Sequence, residues 1–201
     1  MFERRSALAA HPMIQPGHRI GRSWKAIAPV TLSERRPLSI LQVSAFSRTV
    51  DEAGVRLSAA LGLVLPVPNR SNGDALKCIR STGPGIWQIV GRDGALPQAG
   101  ALRAVLAGVA TVVDLSQART ALQVRGAGAA RTITKHCSLD LDAAQFPTGC
   151  ATNTRFGHIG ITLARTDDAP TFELLVYRGY AEFVFESLVE AGREFGLLIG
   201  T

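Results

Sequence analysis

Apolar and polar residues follow two different periods in the first half of this chain. Residues 39–45 alternate in the manner of a strand that is rich in apolar side chains. A helix is predicted to begin at Thr49, because Thr49 and Glu52 have the spacing of a capping box, and to end at Gly62, which suits a C-cap. The apolar face of this helix, at the i, i+4, i+7, i+8 spacing, consists of Ala53, Leu57, Ala60 and Leu61.

The same half continues with a hairpin, a second helix and a closing strand. Residues 76–80 and 86–90 form an antiparallel pair across a turn rich in glycine and proline, and Trp87 in this pair is expected in the core or an interface. The second helix is predicted over residues 97–108, and residues 111–115 form the closing strand. The order is βαββαβ, the split pattern of ferredoxin-like units.

Residues 119–201 repeat this order less clearly. The predicted elements are a strand at 120–125, a helix at 128–136, strands near 150–156, 158–164 and 172–177, and a final helix at 181–195. The inward residues of the final helix are Ala181, Val184, Phe185, Leu188 and Phe195, and the outward ones are Glu182, Glu186 and Glu190. We expect a solvated glutamate face, with contact to a basic surface as the alternative. The fold class is α+β, with two ferredoxin-like halves.

The net charge of +6 is unevenly distributed. The basic residues of the segment 1–36, which far outnumber its acidic ones, are Arg4, Arg5, Arg19, Arg22, Lys25, Arg35 and Arg36. The remaining chain is nearly balanced, so we divide it into a basic N-terminal arm (1–36) and a folded body (38–201), with halves of about 38–116 and 119–201. With Phe2 and Trp24, the arm could wrap an acidic partner, remain a disordered tail, bind nucleic acid or act as a transit peptide.

Bulk composition predicts a cytoplasmic protein. No run of 18 apolar residues and no apolar core of a secretory signal is present in the sequence. Three widely spaced cysteines, Cys78, Cys137 and Cys150, fit a reduced compartment better than a disulfide framework. We therefore expect no membrane span and no disulfide.

A Gly-Ala-Gly turn at residues 126–128 lies between a strand and a helix, an arrangement that can hold a nucleotide phosphate at the helix N-terminus. The dinucleotide fingerprint would need a third glycine where this chain has Arg131, and an acidic residue about twenty positions later. Asp140 and Asp142 come too early for that role. An ordinary strand-to-helix turn is the better interpretation.

The remaining candidates for chemistry do not form a recognisable active site. Two aspartate pairs, at 140/142 and at 167/168, have the setting of turn residues. A metal would need closely spaced ligands, and His136, Cys137, Cys150 and His158 include only one adjacent pair. Nucleophile-elbow and phosphate-loop motifs are absent from the sequence. We assign no catalytic, cofactor-binding or metal-binding residue to this chain.

Asp114 is predicted inside a strand, between Val113 and Leu115. Arg119 and Arg125 are close enough in sequence to pair with it across neighbouring strands. Because no second catalytic group accompanies it, we interpret Asp114 as half of a structural salt bridge.

Several short motifs occur along the chain in the same order as in a known family, which the sequence therefore resembles. They are Asp-Leu-Ser at 114–116, Lys-His-Cys-Ser-Leu-Asp-Leu at 135–141, Phe-Pro-x-Gly at 146–149, Gly-His-Ile-Gly-Ile at 157–161 and Thr-Phe-Glu-Leu-Leu-Val-Tyr-Arg at 171–178, with weaker likeness at 5–8 and 61–66. In this order they resemble the folate-binding aminomethyltransferase fold, most closely the gamma subunits of heterotetrameric sarcosine oxidase. The resemblance covers most of residues 38–196.

The resemblance implies a subunit without catalytic residues of its own. Aminomethyltransferases use an acidic residue in a Gly-Gly-containing segment, and this chain has no Gly-Gly. FAD, FMN, NAD, tetrahydrofolate and zinc would belong to alpha, beta and delta subunits. The whole enzyme would demethylate sarcosine to glycine and transfer the one-carbon unit to tetrahydrofolate. A subunit of a related N-methyl amine or N-methylglutamate dehydrogenase, a free-standing folate-binding protein and a basic nucleic-acid-binding module remain alternatives.

Overall fold

The computed structural model describes residues 6–15, 17–21, 30–36 and 38–200. The chain forms two compact units, one of residues 37–117 and the other of residues 1–36 and 118–201. We call them the insert unit and the terminal unit. Sheet predominates in the described residues and helices are few, so the predicted α+β class is confirmed.

The strands and helices of the described residues are numbered in chain order. The strands are β1 (Arg19–Ile20), β2 (Val30–Glu34), β3 (Leu38–Ala45), β4 (Ser71–Gly73), β5 (Lys77–Gly83), β6 (Ile86–Arg92), β7 (Ala110–Asp114), β8 (Arg119–Arg125), β9 (Ala151–Phe156), β10 (Ile159–Asp167), β11 (Thr171–Tyr177) and β12 (Leu197–Ile199). The helices are α1 (Val50–Leu61), α2 (Ala99–Val105), α3 (Ala129–Thr134) and α4 (Ala181–Gly192), and Arg178–Tyr180 is a 3₁₀ turn. None of the helices described is long and apolar enough to span a bilayer.

The insert unit is a five-stranded antiparallel sheet in the order β4-β5-β6-β3-β7. Apart from the short edge strand β4, its elements follow the order βαββαβ. The core packs the two helices against one sheet face and includes Val43, Leu57, Ile79, Ile89 and Leu106, all fully buried. The alternating apolar side chains of β3 therefore belong to a sheet that packs one of its faces against this core.

Helix α1 begins at Thr49, but the expected capping box is wrong. The Thr49 hydroxyl donates to the Val109 carbonyl at 2.7 Å, so it makes no cap to the helix N–H groups. Glu52 instead pairs with Arg56, at 2.5 Å, one turn along the helix. The helix ends as predicted at Gly62, whose φ of 62° is left-handed.

The terminal unit is a seven-stranded sheet in the order β1-β12-β2-β8-β11-β10-β9. Among the described strands of this sheet, β12 and β2 run parallel and the other pairs are antiparallel. Its core includes Leu122, Ile133, Phe156, Phe172 and Phe185, each at most 1% exposed. Strands β1, β2 and β12 were not predicted from the sequence, nor was the position of β2 between β12 and β8.

The prediction of residues 1–36 as a separate arm is wrong for the part of this segment that is described. Val30 and Leu32 of β2 are fully buried, and Leu8 is 1% exposed in the same core. The concentration of basic residues obscured an alternating strand whose apolar side chains fill the terminal unit. Phe2 and Trp24, together with Arg4, Arg5, Arg22 and Lys25, lie outside the described residues.

The last helix has the predicted orientation, although it is shorter. Val184, Phe185 and Leu188 are buried, and the three glutamates of the opposite face are exposed. Helix α4 ends at Gly192, where a Cβ would lie 2.5 Å from the Leu197 side chain, because the chain returns there to form β12. The helix predicted at 128–136 is likewise shorter, Ala129–Thr134.

Candidate functional site

The Gly-Ala-Gly turn has a structural explanation at both glycines. Gly126 has a φ of 112°, which favours glycine, and its N–H donates to the Pro170 carbonyl at 3.0 Å. A Cβ on Gly128 would lie 2.8 Å from a Val30 methyl and 3.0 Å from the Phe195 ring. The turn thus lets the short helix α3 approach β2 and the end of the chain closely. This geometry supports the interpretation as a strand-to-helix turn.

The two aspartate pairs are turn residues, as predicted. The Asp140 carboxylate accepts the Asp142 N–H at 3.0 Å, and the Asp142 carboxylate accepts the Ala144 N–H at 2.9 Å. Asp167 accepts a backbone N–H two residues on at 2.9 Å, and Asp168 accepts a threonine hydroxyl at 2.5 Å. These bonds organise two surface turns.

The salt bridge predicted for Asp114 is wrong. Its carboxylate accepts the Ser116 N–H at 2.9 Å and the Ser116 hydroxyl at 2.5 Å. Arg119 and Arg125 lie in β8, which belongs to a different sheet. Proximity in sequence was misleading because the chain passes from one unit to the other between Gln117 and Ala118.

The histidines and cysteines considered as metal ligands take separate places. His136 packs on the Phe156 ring at 4.8 Å, and His158 lies 5.8 Å from the Phe183 ring. Cys137 is buried with its sulfur 3.8 Å from a threonine hydroxyl. Within the described residues, the one group of three potential ligands is instead His11, Glu182 and Glu186, with ligand atoms within 4.8 Å of one another.

The hydrogen bonds of His11 oppose a metal at that group. The Met13 N–H donates to His11 Nδ1 at 3.3 Å, which leaves the imidazole proton on Nε2. Nε2 lies 3.2 Å from a Glu186 carboxylate oxygen, so it donates there instead of facing a cation with a lone pair. His11 also packs edge-on against the Phe185 ring at 5.0 Å. These contacts hold the N-terminal segment against α4.

A cleft of about 330 Å³ lies beside α3 in the terminal unit, lined in part by Arg131, Arg165 and Phe172. The buried arginine of this cleft, Arg165, already has hydrogen-bond and ion-pair partners within the terminal unit. Arg165 donates to the Phe146 carbonyl at 3.1 Å and to the Asp167 carbonyl at 3.3 Å, while its second terminal nitrogen lies 3.7 Å from Asp168. These bonds support the adjoining turns and leave no arrangement specific for an anion.

Among the described residues, two apolar surfaces remain to be considered, one on each unit. The first, which we call the α1 groove, has a volume of about 680 Å³ and lies beside the helix in the insert unit. Val55 and Val64, on its rim, are 71% and 74% exposed. Its floor includes Gly54, where a Cβ would lie 3.1 Å from Leu65, and the nearly buried Trp87. Asp51 is the one charged residue in the described part of its lining.

The second, which we call the aromatic end, comprises Arg119, His158, Tyr177, Tyr180 and Phe183. Strand register places the start of β8, the end of β11 and the β9–β10 turn at the same end of the seven-stranded sheet. The three larger aromatic side chains are each about half exposed. Sequence analysis missed this surface, although the spacing of aromatic residues at 177, 180 and 183 was visible and matches the period of a helical turn.

Comparisons with known proteins agree with the fold. The sequence matches the sarcosine oxidase, gamma subunit family over residues 50–194. A chain of the heterotetrameric sarcosine oxidase of Corynebacterium sp. U-96, solved in complex with pyrrole 2-carboxylate, is similar over 96% of both chains, with a TM-score of 0.80 and 27% identity. The glycine cleavage system aminomethyltransferase T of Bartonella henselae is similar over 87% of this chain and 48% of its own, with a TM-score of 0.64 and 15% identity. No curated protein matches the sequence.

The fold is therefore of the mixed α+β class that includes aminomethyltransferase T, and at 15% identity that second likeness concerns the fold alone. The family match covers well over half of the chain. This chain belongs to the sarcosine oxidase gamma subunit family.

Proposed function

We propose that the chain acts as a non-catalytic assembly subunit of a heterotetrameric enzyme that demethylates sarcosine to glycine and transfers the one-carbon unit to tetrahydrofolate. The observation that carries this proposal is the family match over residues 50–194, joined to 27% identity over nearly the whole of a sarcosine oxidase chain. A structural role is supported by the site geometry, since the candidate acids, thiols and histidines of the described residues serve turns and packing.

The resemblance supplies the remaining parts of the proposal. Alpha, beta and delta subunits are the partners, and FAD, FMN, NAD, tetrahydrofolate and zinc are held by them. The assembled enzyme works in the cytoplasm. Each unit of this chain is a ferredoxin-like half. In the terminal unit, β2 lies between β12 and β8, which would otherwise be neighbours.

Reconstitution tests the proposal directly. The chain is co-expressed with the alpha, beta and delta subunits of the same organism, and the complex is isolated through a tag on alpha. We expect stoichiometric incorporation of the chain, sarcosine-dependent hydrogen peroxide production by the complex, and a lower yield or stability of the complex when the chain is omitted.

The isolated chain serves as the matched control. It should be colourless, inactive towards sarcosine and indifferent to tetrahydrofolate in a calorimetric titration. Stoichiometric folate binding would favour a free-standing folate-binding protein instead. A complex that oxidises N-methylglutamate or another N-methyl amine in preference to sarcosine would assign the chain to a related dehydrogenase.

A further inference from the structure

The aromatic end has the composition of a protein-contact surface. Tyr177, Tyr180 and Phe183 are 48%, 51% and 50% exposed, and they follow one another at intervals of three through the 3₁₀ turn and the first turn of α4. Tyrosine, phenylalanine and arginine are enriched in the centres of interfaces, where rigid rings bury large areas at a low cost in conformational entropy. Three large rings half exposed to water at one sheet end therefore suggest a surface that a partner covers.

Arg119 gives this surface a specific electrostatic requirement. Its guanidinium carbon lies 3.5 Å from the centre of the Tyr177 ring, which covers one face of the planar group. Its Nε is buried without a hydrogen-bond partner, and among the described residues no carboxylate forms an ion pair with it. Burial lowers the pKa of the Arg119 guanidinium. A partly buried cation that lacks a counter-ion is most stabilised by a carboxylate that enters from outside.

The charges around the surface restrict what can enter. Glu182 and Glu186 are exposed on the same stretch of helix as Phe183. A polyanion such as nucleic acid or an anionic membrane would be repelled by these carboxylates. Arg178 also lies in the 3₁₀ turn, but Arg119 is the arginine stacked on a ring of this surface, and a stacked, partly buried guanidinium matches one carboxylate carried among apolar side chains.

We propose that the aromatic end docks a segment of a partner subunit in which an aspartate or glutamate carboxylate binds Arg119 and neighbouring apolar side chains cover Tyr180 and Phe183. This proposal rests on the proposed function, since it takes the partner from the same enzyme. It assigns the aromatic end, and not the α1 groove, as the specific contact.

Variants of the full chain, incorporated into the four-subunit complex, test the proposal. In competition with labelled wild-type chain, Arg119→Gln and Phe183→Ser should each weaken incorporation roughly 30-fold or more, the effect expected when a buried charged or aromatic contact is truncated. Arg125→Gln is the matched control, because Arg125 is exposed at the opposite end of the same strand. Melting curves of the isolated variants should match that of the wild type.

Incorporation of Arg119→Gln and Phe183→Ser equal to that of Arg125→Gln would overturn the proposal. It would also be overturned if Val55→Ser in the α1 groove abolished incorporation while the two variants of the aromatic end did not. Photo-crosslinking from position 183 should recover a partner peptide that contains an aspartate or glutamate, and a peptide without either would contradict the assigned chemistry. A wild-type chain that joins no complex would overturn the proposed function together with this inference, whereas failure of the variants alone to weaken binding would leave the proposed function standing.

Discussion

Arg35 and Glu173 form an ion pair that joins the N-terminal segment to the centre of the terminal unit. Arg35 Nη1 donates to Glu173 Oε2 at 2.8 Å, and the Glu173 side chain is fully buried. Arg35 directly follows β2, while Glu173 lies in β11, with β8 between the two strands. A basic residue of the supposed arm thus neutralises a buried carboxylate of the sheet.

Removal of this arginine should destabilise the chain. Arg35→Ala leaves the Glu173 carboxylate buried without its cation, which costs about 3–5 kcal/mol in comparable pairs. Arg36→Ala is the matched control: the Arg36 side chain is 55% exposed and lies 3.8 Å from Glu34, so a change below about 0.5 kcal/mol is expected. Urea denaturation of both variants measures the difference. Equal losses would mean that the buried pair contributes no more than a surface charge.

The strand character of the N-terminal segment predicts a large effect at Leu32. This side chain is fully buried in β2, and Leu32→Ala should cost about 2–5 kcal/mol. Arg19→Ala, in the edge strand β1, removes an exposed basic side chain and should change the free energy of unfolding by less than about 0.5 kcal/mol. Thermal or chemical unfolding of the two isolated variants and of the wild type measures both changes in the free energy of unfolding. If Leu32→Ala is harmless, residues 30–34 are not part of the folded core in solution.

The two faces of α4 should respond differently to substitution. Phe185 is 1% exposed and packs against the His11 ring, so Phe185→Ala should cost about 3–5 kcal/mol. Glu182→Gln, on the exposed face of the same turn, should change stability by less than about 0.5 kcal/mol. A tolerated Phe185→Ala would refute the assigned orientation of the helix. A Glu182→Gln chain that melts normally but no longer enters the complex would show that the glutamate face is an interface.

Asp74 should contribute a pH-dependent component of stability. Its carboxylate accepts the N–H groups of Lys77 and Leu76, and these hydrogen bonds lower its pKa from the ordinary 3.8. Because the folded-state pKa lies below that of the unfolded chain, the contribution is complete above the unfolded value and is lost as the pH falls through the folded one.

An NMR titration of the Asp74 carboxyl should therefore give a midpoint below 3.8. The Asp74→Asn chain keeps a hydrogen-bond acceptor but does not titrate, so the stability difference between it and the wild type should shrink as the solution is acidified through that midpoint. A midpoint at or above 3.8 would mean that the two backbone bonds do not favour the ionised form in solution.

The sequence by itself determined the features that depend on local period. The apolar spacing of residues 181–195 predicts which side of α4 is buried, since residues three and four apart share a helix face. The α+β class follows from the mixture of helical and alternating segments. The aspartate turns were also predictable, because an aspartate side chain bonds to backbone N–H groups only two or three residues away.

Only the tertiary structure decided which distant residues meet. The place of β2 between β12 and β8, the pairing of Arg35 with Glu173, and the packing that requires glycine at 128 all depend on strands that are far apart in sequence. Alternation identifies a strand but not its neighbours, and charge composition drew attention away from the apolar residues of β2. The aromatic end likewise exists because the register of three strands brings Arg119 beside Tyr177, near the start of α4. Local sequence restricts each backbone segment, whereas long-range hydrogen bonding and packing select among the assemblies that these segments permit.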